Sequence, residues 1–439
     1  MTALDTLLKN DTSRNIFLKG LNGSGPAMTI ASLFTKGRGS YVCVLNDQEE
    51  AGYFYHDLMQ LTASNEVYFF PSAYRRAIKY GHVDPANEIL RTEVLSRLQD
   101  PDASFVIVTY PDALAERVVA REVLKENTLK ISVGEKLDNM FVSDVLDEYG
   151  FEQVDYVYEP GQYALRGSIL DVFSFSYEFP YRIDFFGDEV ETIRTFDVET
   201  QLSKEKLDSI YIVPEMSKNA KDSTSLLGSL PRNTFIAARD LAWCKERIGS
   251  VWNDDPVVAD EESFADIDQM RKKLVRGEDF LREVLDFRRI HFGARPMGTA
   301  DATIHFSTQT QPIYHKNFDR VSESFHKYLD EGYTLYILSD QEKQANRIRM
   351  IFEDRGDNIP FTAVNRTIHE GFADDTLRIC FFTDHQLFDR FHKFNLKSDK
   401  ARSGKITLSL KELNQFSQGD YIVHIDHGVG QFGDWYAPR

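Results

Sequence analysis

The chain has 439 residues, 13% of them aromatic, and a formal net charge of −18. That length points to three or four domains, and the aromatic content to real cores rather than disorder. Such acidity counts against broad, non-specific binding to nucleic acid, which needs a basic surface, and leaves room only for a local basic patch.

No apolar run approaches the roughly 20 residues of a membrane helix. Met1-Thr-Ala-Leu-Asp5 lacks the basic and then apolar character of a secretion signal. Cys43, Cys244 and Cys380 are far apart and form no CxxC pair, which excludes a disulfide framework and a zinc site. No metal, no membrane and a cytoplasmic location are therefore expected, with a protein as the default partner.

The first element in chain order is a strand at Asn15–Lys19, entering the loop Gly20-Leu-Asn-Gly23-Ser-Gly25-Pro26-Ala27. A phosphate-binding loop asks for Gly, four residues, then Gly-Lys-[Ser/Thr]. The glycine frame is present, but Pro26 stands where Lys would reach the phosphates and Ala27 where a hydroxyl would hold Mg²⁺. Pro26 also deletes a backbone N–H from the anion nest at the helix N-terminus. The residues fit either a nucleotide-hydrolase loop stripped of its chemistry or a Gly-rich turn of no such ancestry. A helix over Ala27–Phe34 follows, then a strand at Ser40–Leu45, a helix over Asp47–Leu61, and strands at Val67–Phe70 and Phe105–Val108. Apolar strands alternating with helices predict a parallel sheet.

From about Asn127 the pattern changes to strands at Leu129–Val133, Tyr163–Phe173, Tyr181–Phe186 and Glu189–Phe196. Gly161, Gly167 and Gly187-Asp188 punctuate them as turns, the last as a hairpin. This is an antiparallel sheet inserted into, or appended to, the α/β unit. Beyond Pro214 the α/β texture returns with a strand at Thr234–Ala238 and a charged helical stretch from Glu261 to about Arg289. A helix–strand–helix unit follows: Phe318–Glu331, Thr334–Leu338 and Asp340–Arg355, with a last strand at Arg378–Phe382. Lys393–Ser409 reads as a basic, polar linker, and Gly419–Phe432 begins a new unit.

Two stretches carry a specific resemblance. Glu159-Pro-Gly-Gln-Tyr-Ala-Leu-Arg166-Gly-Ser-Ile-Leu-Asp171-Val-Phe173, continued by Pro180-Tyr-Arg182-Ile-Asp-Phe-Phe186-Gly-Asp-Glu-Val-Glu-Thr-Ile-Arg194, closely resembles the domain shared by the excision-repair protein UvrB and the transcription-repair coupling factors. Gly419-Asp-Tyr-Ile-Val-His-Ile-Asp-His-Gly-Val-Gly-Gln-Phe432 resembles the opening of the coupling factors' RNA-polymerase-interacting domain. The two in this order are more specific than either alone. The resemblance extends along the whole chain, weakly in its middle, and implies the N-terminal region of a coupling factor with a degenerate, ATPase-inactive UvrB-like module.

The implied fold is multidomain α/β. It comprises a degenerate P-loop, helicase-like parallel-sheet domain with an inserted antiparallel α+β domain, a second small α/β domain and the start of a small β-barrel. The expected divisions are 1–125 and 213–312 for the two parts of the UvrB-like unit and 126–212 for the UvrA-binding insert. A small α/β domain of unassigned role follows at 313–400, then a linker at 401–416 and the start of the polymerase-binding domain at 417–439. The sequence is expected to be a piece of a longer protein whose ATP- and Mg²⁺-dependent, DNA-translocating motor lies beyond it. The fragment itself is expected to have no catalytic residue and no cofactor. UvrA and RNA polymerase are the implied partners, and DNA only through the motor. In the complete protein the resemblance implies that a C-terminal domain masks the UvrA-docking face. The competing reading is an active UvrB-type ATPase. That protein would keep Lys and Thr at positions 26 and 27, and a Tyr-rich hairpin for which the segment between Pro71 and Glu88 is too short.

The resemblance places UvrA docking at Arg166, Arg182 and Phe186, with Arg194 as a further candidate. In Tyr181–Phe186, alternation puts Ile183 and Phe185 on one face as core. Arg182, Asp184 and Phe186 fall on the other, exposing a guanidinium beside a ring in the manner of an interface hot spot. Each arginine could grip a partner carboxylate in a bidentate pair. The alternatives are arginines paired with neighbouring carboxylates of their own chain, and Phe186 as filler beneath the Gly187-Asp188 turn.

Three segments imitate sites. Ile379-Cys-Phe-Phe-Thr-Asp384-His385-Gln386 resembles a Walker B strand, but a strand end and turn is the expectation. His424 and His427, with Asp426, fit the polar edge of a β-barrel better than a metal site. The charges of Arg271–Arg289 mix signs and fit a solvated helix face better than a DNA contact.

Overall fold

The computed structural model describes residues 2–9, 13–62, 64, 66–73, 85–100, 102–198, 200–214, 223–253, 271–390, 394, 421–424 and 428–431. Its centre is a seven-stranded, all-parallel sheet in the order Ala302–His305, Asn15–Lys19, Arg288–His291, Phe235–Ala238, Tyr41–Val44, Val106–Thr109, Val67–Phe69. Tyr41–Val44, Val106–Thr109 and Phe235–Ala238 are buried at every position. Strands covered on both faces read as unbroken apolar runs for that reason. The first strand lies between two of the last, so the sheet closes only when the chain has returned from its insertion.

One correction concerns the charged stretch ending at Arg289. A helix does form at Gly277–Val284, but Arg288–His291 is a strand inside the sheet. Ile290 and His291 are buried in it, and His291 Nε2 lies 2.7 Å from Asn15 Oδ1 on the adjoining strand. Arg288 and Arg289, read as the end of a solvated helix, bond backbone carbonyls instead. Arg288 donates to Leu7, Leu8 and Ser13, and Arg289 to Leu285 and Phe287.

The insertion is a six-stranded sheet in the order Ser203–Leu207, Glu189–Phe196, Tyr181–Phe186, Ile169–Val172, Gln162–Arg166, Glu152–Gln153, antiparallel except at its last pair. The turns after Arg166 and Phe186 carry Gly167 and Gly187 at φ 63° and 64°, left-handed conformations that favour glycine. One face packs Tyr163, Leu170, Val172, Ile183, Phe185 and Ile193 on Val142 and Leu146 of the Asn139–Glu148 helix. On the other face, Ala164, Phe173 and Phe196 meet Ile89 of the Pro85–Arg97 helix, which anchors the insert to the main unit. A separate two-stranded pair, Leu129–Ser132 with Ser209–Ile212, ties the entry of the insert to its exit.

The third unit is a five-stranded sheet, Thr308–Thr310, Phe372–Asp374, Ile379–Thr383, Thr334–Leu338, Thr362–Val364, flanked by the Phe318–Asp330 and Glu342–Asp354 helices. Tyr421–His424 and Gly428–Gln431 pair as a hairpin. The linker at 401–416, His427, Asp426 and the short segment before Glu88 lie outside the described residues or mostly so. Among the described residues no helix is long and apolar enough to cross a membrane.

Candidate functional site

The glycine loop leaves its strand at Gly20 (φ 88°) and starts the Gly25–Thr35 helix, with Pro26 in the first turn and Gly25, Pro26 and Ala27 all buried. Two of its amides, those of Asn22 and Ser24, donate to the third unit. The Ser24 amide donates to the Glu370 carbonyl at 2.9 Å, the Glu370 amide to Ser24 Oγ at 3.0 Å, and the Asn22 amide to Thr308 Oγ1 at 2.8 Å. A Cβ on Gly23 would lie 2.9 Å from the carbonyl oxygens of both Glu370 and Gly371. The small domain thus packs directly on this loop.

The adjoining cleft, about 350 Å³, is lined by Asp47, Glu49, Glu50, Asp57 and Glu370, and its Arg239 is paired with Glu50. This charge is the reverse of what a triphosphate needs. Asp57 is the buried pivot of the joint: its Oδ1 accepts the His369 amide at 2.6 Å, and Ser24 hydrogen-bonds to it. Burial first, and then the neighbouring Glu370, push Asp57 up to about 7 against the pull of those two hydrogen bonds.

The Walker B-like segment ends in a strand and a short Asp384–Leu387 helix capped by Thr383. Asp384 accepts from Ser339 Oγ at 3.1 Å and His385 Nε2 lies 2.8 Å from the His369 carbonyl, so both bond within the small domain. Among the described residues no group of three or more His, Cys, Asp or Glu side chains converges as a metal would require.

On the inserted sheet, Arg166, Arg182 and Arg194 all lie on the face opposite the apolar core. Arg182 stands directly across from Asp171 on one neighbouring strand and Arg194 on the other. The side-on fork of Arg182 closes on Asp171, Nε to Oδ1 at 2.7 Å and Nη2 to Oδ2 at 2.8 Å, with its guanidinium 4.3 Å above the Phe196 ring. Asp171 is 1% exposed and also accepts from Arg166 Nη2. Arg166 further donates to the Asp155 carbonyl at 2.8 Å and lies 5.0 Å over Tyr156. Arg194 pairs with Asp184 at 2.8 Å.

The expectation of a guanidinium standing free beside a ring is therefore corrected. All three are paired within the sheet, with side-chain exposures of 35% for Arg166, 14% for Arg182 and 28% for Arg194. The cross-strand register sets a carboxylate opposite or diagonal to each, and a buried carboxylate binds whatever cation it faces. Phe186 is the freely presented member, 79% exposed at the tip of its hairpin, which rules out its role as filler. Met140 and Phe141, in the first turn of the Asn139–Glu148 helix, are also exposed, and Asn139 bonds the Gly167 turn at 3.1 Å. Asp171 was the residue missed from the sequence, although it stands in the motif and two hairpin registers bring it beside Arg166 and Arg182.

Residues 129–217, which are this inserted unit, match the family model of the UvrB interaction domain. Over nearly its whole length the chain is similar to transcription-repair-coupling factors. It is 23% identical to those of Staphylococcus aureus strains RF122 and Mu50, with 98% of this chain and 44% of theirs covered. It is 22% identical to that of Staphylococcus haemolyticus, with 95% and 42% covered. The chain spans less than half the length of these relatives and matches their N-terminal part.

Two stability outcomes follow from the geometry. In equilibrium denaturation, Arg182→Ala costs about 3 kcal/mol because it strips a buried carboxylate of its fork, whereas Phe186→Ala stays within about 0.5 kcal/mol. Asp57 in the native chain keeps a proton that the unfolded chain, with its ordinary 3.8, has already released. Its stabilisation is therefore full below about pH 4 and is lost as pH rises through about 7. Thermal melts between about pH 5 and pH 8 should show the parent losing ground to Asp57→Asn, a neutral isostere, as pH rises.

Proposed function

We propose that this chain is the recruiting, non-catalytic part of a transcription-repair coupling factor, docking UvrA through its inserted domain and so bringing repair proteins to a stalled RNA polymerase. The observation that carries this is the coincidence of the UvrB interaction domain match with a sheet that presents an exposed Phe186 and holds three ordered guanidiniums. Aromatic and arginine side chains are the commonest interface anchors, and pre-ordered ones lose less entropy on docking.

The docking residues on this reading are Phe186 with Arg166, Arg182 and Arg194. The complete protein is an ATP-driven DNA translocase of the cytoplasm, with ATP and Mg²⁺ used by a motor outside this sequence. Contact with RNA polymerase runs through the module opening at 417–439, and a C-terminal domain masks the docking face until the motor engages. The present chain hydrolyses no ATP: Pro26 and Ala27 replace the chemistry, and Glu370 occupies the nest.

Two measurements test this. The 439-residue chain should retain UvrA in a binding assay, and Phe186→Ala should weaken it by about 2–4 kcal/mol without lowering the melting temperature; equal retention by the two would refute the docking face. Titration with Mg²⁺-ATP should give no binding, and a stoichiometric isotherm would restore the rival, an active UvrB-type ATPase.

A further inference from the structure

Standing on the docking reading above, we infer that Asp171 and Gln201 are positioning residues of that face: they lock Arg182 in place and leave Arg166 as the guanidinium transferred to a carboxylate of the partner. The two arginines share one buried carboxylate but are held very differently. Arg182 is gripped on both edges. Asp171 takes its Nε and Nη2, while on the other side Gln201 offers its side-chain Oε1 at 3.2 Å and its carbonyl at 3.4 Å. The Phe196 ring lies beneath, its centroid 4.3 Å from the guanidinium carbon.

Gln201 is itself fixed. Its backbone is left-handed at φ 57°, an uncommon conformation for a side-chain-bearing residue. Its Nε2 donates to the Val198 carbonyl at 2.9 Å, and its amide to that of Asp197 at 2.8 Å. A residue held in a costly conformation by several bonds, with its oxygen aimed at a guanidinium, is built to hold that guanidinium.

Arg166 has no such second grip. It meets Asp171 through one nitrogen, meets a carbonyl through another, and is more than twice as exposed as Arg182. If Arg166 swings to a carboxylate of the partner, Asp171 keeps both Arg182 bonds and no buried charge is orphaned. If Arg182 left instead, Asp171 would retain a single bond. That asymmetry assigns the roles: Arg166 is transferred, Arg182 shapes the face, and Asp171 and Gln201 act through Arg182.

The test compares equilibrium binding of UvrA to the full chain and its variants at low and moderate salt, with thermal melts as the control for folding. Asp171→Asn makes the face one charge more positive. Attraction by net charge alone predicts tighter binding at low salt, whereas positioning predicts binding weaker by roughly tenfold or more, on the scale of a lost anchor. Gln201→Asn, which tolerates the left-handed backbone but is too short to reach Arg182, should weaken binding several-fold with an unchanged melt. It decides the matter alone if Asp171→Asn does not fold. Arg166→Lys keeps the charge but not the fork, and should lose roughly tenfold. If the parent and Phe186→Ala differ as expected while Asp171→Asn and Gln201→Asn bind like the parent or tighter, the positioning role is overturned and docking stands. Parental affinity in Arg166→Lys overturns the transfer. Failure of the parent to bind UvrA removes the docking reading and this inference with it.

Discussion

The inserted domain depends on one carboxylate kept from water. A carboxylate buried in that position costs several kcal/mol unless it is paired and hydrogen-bonded in good geometry. Two bonds from Arg182 and one from Arg166 supply it. The requirement also fixes register: a slip of one residue between Ile169–Val172 and Tyr181–Phe186 would turn Arg182 to the apolar face and strand the charge. Once Ile183 and Phe185 are committed inward, Phe186 has only the outside available. The exposed ring is thus a consequence of the buried pair.

A second constraint acts at the glycine loop. Backbone amides at a helix start demand acceptors. Where a nucleotide fold would satisfy them with phosphate, this chain uses the Glu370 carbonyl, supplied by a different domain. Gly23 has no side chain to keep that segment out.

Much of the architecture was legible because its signals are local. Strands such as Tyr41–Val44 are unbroken apolar runs, and the turns at Gly167 and Gly187 require the left-handed backbone that glycine provides. Alternation also assigned both faces of Tyr181–Phe186, including the commitment of Ile183 and Phe185 to the core. What alternation lacks is the identity of the residue across the strand. The pairing of Arg182 with Asp171 needs hairpin registers on both sides, and the partial cover over that face comes from Ile89, far upstream. Arg288–His291 was hidden because its charges satisfy carbonyls at the strand's edge, a use that composition does not distinguish from solvation. Glu370 lies 346 residues from Ser24, and no local pattern announces it.

The antiparallel pairing of Leu129–Ser132 with Ser209–Ile212 has a wider implication. Where the ends of an insertion lie side by side, the host needs no particular path through it, only a narrow gap to bridge. The unit is stitched shut at its own neck, with its own apolar interior on one side. Such a piece can be carried from one scaffold to another with little disturbance to either.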